Sequence, residues 1–145
     1  MNDIIAEFQG QYQFLSNFYP SPLTFDGIKY PTSEHAYQAM KTSDISERER
    51  ISKLLTAGQA KRAGKLVKLR PDWDNIKDQI MFDIVKAKFQ QNLELRYKLL
   101  ATGNSELQEG NYWGDTYWGI CRGVGQNKLG KILMKVRMEF RYNLD

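Results

Sequence analysis

Near the start of the chain, hydrophobic residues fall in short runs that include single polar residues. Two such runs, residues 4–8 and 23–30, predict short β-strands. The second run is interrupted by Asp26-Gly27, a pair that is typical of a two-residue hairpin turn. Between the two runs, the segment FLSNFYPSP at 14–22 is rich in aromatic residues and prolines, so we interpret it as a loop.

The stretch PTSEHAYQAMK predicts a helix with Thr32 or Ser33 as its N-cap. Within it, Glu34, Gln38 and Lys41 fall at positions i, i+4 and i+7, which would place all three on one helical face. Such a polar stripe is either a solvated surface or the wall of a pocket. Glu34 also has a purely structural interpretation, because a carboxylate in a first helical turn stabilises the helix dipole.

Four further helices are predicted in the rest of the chain. Ser46 and Glu49 have the spacing of a capping box for a helix that runs toward Gly58. A long amphipathic helix is predicted over 71–89, a short helix over 93–100, and another amphipathic helix close to the C-terminus. The apolar rows of the two amphipathic helices are Ile76, Ile80 and Ile84 with Met81, Val85 and Phe89, and Leu129, Ile132, Leu133, Val136 and Phe140. Short strands and several helices together indicate an α+β fold that is mainly helical.

The composition is that of a folded globular protein, with 41% hydrophobic residues in a chain of 145. We expect one compact domain spanning residues 1–145, and no segment approaches the roughly eighteen consecutive apolar residues of a membrane span. The N-terminus lacks the basic and then apolar pattern of a secretion signal, so we expect a cytoplasmic protein with no membrane partner. The single cysteine, Cys121, and the single histidine, His35, argue against a disulfide and a conventional zinc site.

The basic charge of the chain bears on its partners. A formal net charge of +4 makes an anionic partner plausible without requiring one. Lysines and arginines are spread along the chain, with one cluster, AKRAGKLVKLR, at 60–70. This cluster is either a solvated surface or a face that binds phosphate or nucleic acid.

The segment NYWGDTYWGICRGVGQNKLG combines aromatic residues, glycines and one acid. Asp115 lies between Trp113 and Trp118, an arrangement that suits a site that stacks a planar base and holds a proton beside it. The alternative is that the tryptophans belong to the core and that Asp115 caps a turn. Because the glycines precede a helix, Asn127 and the amides around Gly125 can receive an anion, and a plain helix cap is the alternative. The glycine spacing does not fit the dinucleotide-binding fingerprint.

These motifs occur in an order that closely resembles the NADAR family, also called YbiA-like. The matching segments run from about Phe8 to Arg137 and are FLSNFYPSP, DGIKYPTSEHAYQAMK, AKFQQN, LLATG and DTYWGICRGVGQNKLGKILMKVR. The resemblance implies a compact, mainly helical N-glycosidase that cuts the bond between a ribose and a base nitrogen. It also implies that the enzyme works without a metal or a redox cofactor.

Two substrate classes are associated with this family. One is ADP-ribose attached to guanine in nucleic acid, which we expect here because a basic surface and the aromatic pair Tyr112-Trp113 suit a polyanion that carries bases. ADP-ribosylated DNA or RNA would then be the partner. The other class is a pair of ribosylamino-pyrimidine phosphates early in riboflavin biosynthesis. A non-catalytic module that binds ADP-ribose or NAD, and a purely structural protein, are the remaining alternatives.

The resemblance also implies which residues form the site. It places the catalytic positions on Glu34, Lys41 and Asp115. With the aromatic and polar neighbours of these residues added, the substrate-binding candidates are Asn17, Phe18, Gln38, Trp113, Trp118, Gly119, Gly125 and Asn127. The segments 112–114 and 120–122 depart from the family pattern beside the expected base pocket, so they affect substrate choice rather than the reaction.

The expected chemistry needs two kinds of group. Cleavage of a ribose N-glycosidic bond develops positive charge at the anomeric carbon while negative charge builds on the departing base. A carboxylate beside the ribose stabilises that carbon or activates water, and a proton donor helps the base to leave. Glu34 and Asp115 are candidates for these two tasks, in an order that the sequence does not fix. Lys41 is either a nucleophile that forms a Schiff base with the opened sugar or a cation that contacts phosphate or Glu34.

Other polar candidates have equally simple structural interpretations. Asn17 either contacts the ribose hydroxyls or forms a turn in its proline-rich loop. His35 is expected to be structural, because it points about 100° away from Glu34 on the helix. Lys88 and Asn92 either line the pocket or lie at a solvated helix end.

Overall fold

The computed structural model describes residues 3–142 of the chain. Its elements in chain order are β1 (Ile4–Ile5), a 3-10 helix (Gly10–Leu15), β2 (Leu23–Phe25), β3 (Ile28–Tyr30), α1 (Ser33–Ala39), α2 (Ile45–Ser52), α3 (Ala57–Gly64), α4 (Trp73–Gln91), α5 (Leu93–Ala101), β4 (Glu106–Leu107), β5 (Gly110–Asn111), β6 (Ile120–Cys121) and α6 (Lys128–Arg141). Helices dominate and the strands are short, which confirms the prediction of a mainly helical α+β fold. Within the described residues, no helix is both long and apolar enough to cross a membrane.

The chain groups into two compact units. The central unit comprises residues 17–92, and the terminal unit comprises residues 3–16 together with 93–142. The expectation of one domain over 1–145 stays a prediction.

The hairpin of the central unit forms at the predicted turn. β2 and β3 pair in antiparallel register, with Leu23 opposite Tyr30. Asp26 and Gly27 have positive φ angles of 49° and 83°. Two successive positive φ angles define a type I′ turn, whose twist matches that of the flanking strands. The predicted hairpin is confirmed.

Helix α1 begins where the sequence predicts and ends earlier. The Thr32 hydroxyl accepts a hydrogen bond from the His35 amide, so Thr32 is the N-cap. The last helical residue is Ala39, and the Lys41 amide then donates to the carbonyl of Gln38, three residues back. Lys41 therefore lies in the turn after α1. The prediction of three side chains on one continuous helical face is wrong for Lys41.

The single helix predicted from Ser46 toward Gly58 is wrong, because this segment forms two helices. The carboxylate of Asp44 accepts hydrogen bonds from two amides of the first turn, so Asp44 rather than Ser46 caps α2. Helix α2 stops after 8 residues, and a capping box formed by Thr56 and Gln59 starts α3. A continuous helix would use the backbone amides of residues 56 and 59 for its own hydrogen bonds, so the capping box of Thr56 and Gln59 could not form.

Helix α4 is the amphipathic helix that the apolar rows predict, and it packs against α1 and β2. Its buried residues are Trp73, Met81, Ile84, Val85, Lys88 and Phe89. Ile76 and Ile80 are only half-buried, so the buried face is centred on the later row. The interpretation of Lys88 as part of a solvated helix end is wrong, because its exposed fraction is 1%. The side-chain amide of Asn92 donates to the Lys88 carbonyl and closes the helix end.

The terminal unit is built from parallel strand pairs and two helices. β1 pairs with β4, with Ile5 opposite Leu107, and β5 pairs with β6, with Asn111 opposite Cys121. The strand predicted over 4–8 is therefore present and shorter than expected. Helix α6 packs against α5 and β4. It buries Leu129, Leu133, Val136 and Phe140 of the predicted apolar row.

Candidate active site

The first candidate acid, Glu34, lies in the first turn of α1 and is buried. Its Oε2 accepts a hydrogen bond of 2.6 Å from Nε2 of Gln38, one helical turn further on. Both side chains are buried, so the polar stripe of α1 is not a solvated surface. A buried carboxylate needs such donors, because it has lost the hydrogen bonds of water.

Asn17 connects the proline-rich loop to the start of α1. Its side-chain Oδ1 accepts a hydrogen bond of 2.8 Å from the Ser33 hydroxyl, and its backbone carbonyl accepts one of 3.0 Å from the Glu34 amide. Its Nδ2 donates to the sulfur of Met81. Asn17 is therefore buried and holds the backbone beside Glu34, while the next residue, Phe18, is exposed. A contact between Asn17 and ribose stays a prediction.

Lys41 is half-buried, and its Nζ lies 5.8 Å from the centroid of the Tyr37 ring. Burial lowers the pKa of the Lys41 ammonium, and the charge of Glu34 acts in the opposite direction. Further lowering comes from the positive charges of Lys65, Lys61 and Lys77. The net effect is a pKa below the ordinary lysine value, which increases the neutral fraction of the amine. The same surroundings also concentrate positive charge around Lys41.

The second candidate acid, Asp115, organises the aromatic loop of the terminal unit. Its Oδ1 accepts hydrogen bonds from the amides of Tyr117 (3.1 Å) and Trp118 (2.9 Å). The Asn111 side chain clamps the backbone of Asp115, since its Oδ1 accepts from the Asp115 amide and its Nδ2 donates to the Asp115 carbonyl. One oxygen of Asp115 therefore caps a turn, as the structural interpretation predicts. A catalytic part for this carboxylate stays a prediction.

The two aromatic pairs of this loop differ in exposure. Trp118 is half-buried and packs edge-on against Tyr117, with ring centroids 4.9 Å apart. Tyr112 and Trp113 form a second edge-on pair at 5.2 Å, and both are exposed. The interpretation of Trp113 as a core residue is therefore wrong. Tyr112 directly follows β5, and the exposed Arg122 directly follows β6.

The glycine-rich loop serves close backbone packing. A Cβ atom on Gly119 would lie 1.7 Å from Glu109 Oε2, and one on Gly125 would lie 2.1 Å from the Gly119 carbonyl oxygen. The Asn127 side chain is bound to the backbone at both ends, because its Oδ1 accepts from the Glu109 amide and its Nδ2 donates to the Leu107 carbonyl. These contacts favour the structural interpretation of Asn127.

The amides at the start of α6 are also occupied. The amides of residues 126–129 donate to carbonyls within residues 116–119, at distances between 2.8 and 3.2 Å. The loop therefore supplies the acceptors for these four amides itself, while anion binding by the amides around Gly125 stays a prediction. The glycines allow this approach of backbone to backbone.

Two residues near the candidates, Gly64 and Glu109, were not predicted from the sequence. Gly64 of α3 packs on the side chain of Gln38. Glu109 accepts a hydrogen bond of 3.0 Å from Asn111 Nδ2, which links it to the amide that clamps Asp115. A single acid in a polar stretch carries no sequence signal, and the significance of Gly64 depends on the approach of a separate helix.

The candidates thus fall into two sets. The central unit brings together Asn17, Glu34 and Gln38 through hydrogen bonds, with Lys41 within the electrostatic reach of Glu34. The terminal unit brings together Asp115, Trp118, Gly119, Gly125 and Asn127 in one loop and the helix start that follows it.

Comparison with known proteins identifies the family. The model of the NADAR domain matches residues 6–141. The chain is 40% identical to N-glycosidase YbiA of Escherichia coli (strain K12), over 94% of this chain and 89% of YbiA. The NMR structure of E. coli YbiA superposes with a TM-score of 0.87 at 38% identity, covering 99% of this chain and 88% of that one. A riboflavin biosynthesis protein of Vibrio vulnificus (strain YJ016) is 43% identical over 90% of this chain, which spans only 37% of that protein. The chain therefore belongs to the NADAR domain family.

Proposed function

We propose that this protein is an N-glycosidase that releases ADP-ribose from guanine in nucleic acid. The reaction class rests on the NADAR domain and on YbiA, a relative that is named an N-glycosidase and matches this chain over 89% of its length. The protein is accordingly a hydrolase that acts on N-glycosyl compounds. The choice of nucleic acid as substrate rests on the surface of the terminal unit.

Glu34 supplies the carboxylate of the reaction. It is buried and held in one orientation by the Gln38 amide at 2.6 Å, so its charge can act on an anomeric carbon with little screening by water. There it stabilises the positive charge of the transition state or activates the attacking water. Asp115 orders the loop that carries Trp118, through the two amides bound to its Oδ1.

The exposed aromatic pair is the observation that carries the choice of substrate. Tyr112 is 82% exposed and Trp113 is 52% exposed, although both are large rings that usually lie at least partly inside a protein. Arg122, which follows the strand paired with β5, is also exposed and adds positive charge to the surface of the same unit. Exposed rings and an exposed guanidinium in one unit suit the bases and phosphates of a nucleic acid strand, and each stacked base is worth about 1–3 kcal/mol. One ribosylamino-pyrimidine offers a single ring for stacking.

A second candidate is hydrolysis of the ribosylamino-pyrimidine phosphates of riboflavin biosynthesis. It is favoured by the Vibrio relative, which is named a riboflavin biosynthesis protein and is 43% identical to this chain. The reaction class is the same for both substrates, so the same Glu34 carboxylate serves either one.

A paired turnover assay tests the proposal. A guanine-ADP-ribosylated oligonucleotide and a ribosylamino-pyrimidine phosphate are each incubated with wild-type protein, with Glu34→Gln and with Glu49→Gln. Glu49 is an exposed acid on α2 and serves as the matched control. Release of ADP-ribose by the wild type and by Glu49→Gln, with loss of release in Glu34→Gln, is the expected result.

Two other outcomes would revise the proposal. Turnover of the pyrimidine alone would assign the protein to the clearance of riboflavin intermediates. If neither substrate is turned over while ADP-ribose still binds, the protein is a binding module and the catalytic assignment fails.

A further inference from the structure

Gly64 is the last residue of α3, and its φ angle lies outside the left-handed region that favours glycine. Any other residue can adopt such a backbone, and alanine stabilises a helix relative to glycine. The backbone of Gly64 therefore gives no reason for a glycine at this position. The explanation has to lie in what approaches it.

The side chain of Gln38 occupies the space beside Gly64. A Cβ atom on Gly64 would lie 1.9 Å from Oε1, 2.7 Å from Cδ and 3.1 Å from Cβ of Gln38. All three nearest atoms thus belong to one side chain of α1. Gly58 of the same helix differs, because its nearest atoms would be 3.8 and 3.9 Å away, which is ordinary contact.

The amide of Gln38 is oriented by its two neighbours. Its Nε2 donates to Oε2 of Glu34 at 2.6 Å. Its Oε1 is buried against Gly64 and has no hydrogen-bond partner among the described residues. A buried acceptor without a donor is unfavourable. The arrangement leaves Oε1 unsatisfied while Nε2 is held against the carboxylate.

We infer that Gly64 and Gln38 are positioning residues for Glu34. The bare backbone of Gly64 lets the Gln38 amide rest on α3, and this contact aims Nε2 at the carboxylate and fixes its orientation. Because one end of the amide is used by Glu34 and the other is covered by Gly64, Gln38 acts through Glu34 instead of contacting the substrate. The inference rests on the proposed function, in which Glu34 acts at the ribose.

Gly64→Ala tests this inference, with Gly58→Ala as the matched control on the same helix. The added methyl group must displace Gln38. We therefore expect kcat to fall about 10- to 100-fold, because moving a catalytic group by about an ångström or less has an effect of this size. KM and the thermal midpoint should change far less, and Gly58→Ala should keep the wild-type kcat. A fall in the folded fraction of Gly64→Ala, with normal kcat per folded molecule, would show a purely structural role and overturn the inference.

A double variant shows whether Gly64 acts through Gln38. In the Gln38→Ala background the two closest atoms, Oε1 and Cδ of Gln38, are absent, so adding Gly64→Ala should lower kcat no further. A further drop in the double variant would mean that Gly64 acts by another route, which also overturns the inference.

An NMR measurement keeps this test independent of activity. The side-chain amide protons of Gln38 should be shifted downfield and slow to exchange in the wild type and in Gly58→Ala, and should lose both properties in Gly64→Ala. Unchanged Gln38 signals in Gly64→Ala would refute the inference, whether or not the protein turns over a substrate. If these signals change as expected while Glu34→Gln remains fully active, the proposed function fails and the contact itself stands.

Discussion

Replacing Lys88 with methionine should remove a pH dependence of the protein's stability between pH 7 and pH 10.5. Lys88 lies on the buried face of α4, and its exposed fraction is 1%. Burial removes the ammonium group from water and lowers its pKa from 10.5 to about 7. Methionine has a similar unbranched shape and no charge, so it can fill the same space without this desolvation.

The size of the effect follows from the difference in proton binding between the two states. In the unfolded chain Lys88 titrates near its ordinary pKa, so between pH 7 and pH 10.5 the unfolded state binds more protons than the folded state. Stability should therefore rise with pH across this interval and be lost as pH falls toward 7. At about 1.4 kcal/mol per pKa unit, the whole interval corresponds to roughly 5 kcal/mol of unfolding free energy.

The assay is urea unfolding of the wild type, Lys88→Met and Lys68→Met at several pH values between 7 and 10. Lys68 is exposed in the segment between α3 and α4 and is the control for loss of a surface charge. The stability of Lys88→Met relative to the wild type should be greatest at pH 7 and decrease as pH rises, while Lys68→Met follows the wild type. A stability difference between Lys88→Met and the wild type that is the same at pH 7 and pH 10 would refute the reasoning, because it would mean that burial does not lower the pKa of Lys88.

Three shorter predictions concern the site and the pH dependence of stability. Lys41→Arg should keep its turnover rate within about tenfold of the wild type, because the positive charge is retained, whereas Lys41→Met should have a higher KM. Loss of all turnover in Lys41→Arg would instead indicate that the Lys41 amine is a nucleophile. Trp113→Ala should weaken oligonucleotide binding by about 1–3 kcal/mol and leave the kcat for a small ribosylated base unchanged, as measured by titration and turnover. Burial lowers the pKa of the His35 imidazole, so as pH falls below 6.5 the unfolded chain binds a proton at His35 before the folded protein does. Unfolding experiments should therefore show that the stability of the wild type falls below pH 6.5 and that the stability of His35→Gln falls less.

Features set by short-range chemistry could be predicted from the sequence. The hairpin follows from Asp26-Gly27, because few residue pairs accept two successive positive φ angles. The start of α1 follows from a hydroxyl residue before an apolar period, and the contact between Glu34 and Gln38 follows from their i, i+4 spacing.

Features that depend on competition or on distant partners could not be predicted. Asp44 and Ser46 both have side chains that can cap a helix. In the structure Asp44 is the N-cap of α2, because its carboxylate accepts hydrogen bonds from two amides. β1 pairs with β4 about a hundred residues away, a partner that no local pattern indicates. Lys88 looks like a surface residue in the sequence, and only the packing of α4 shows that it is buried.

The glycines of the candidate site also show which features the sequence can predict and which it cannot. A glycine-rich loop before a helix predicts open amides for an anion, yet carbonyls within residues 116–119 fill the amides of residues 126–129. The glycines of this loop are thus explained by backbone approach, which Gly119 and Gly125 permit. Side chains can supply further positive partners for a phosphate-bearing substrate. Within the central unit, positive charge from Lys61, Lys65 and Lys77 is concentrated around Lys41. This charge can attract a substrate phosphate, and it also disfavours the protonated form of Lys41 itself.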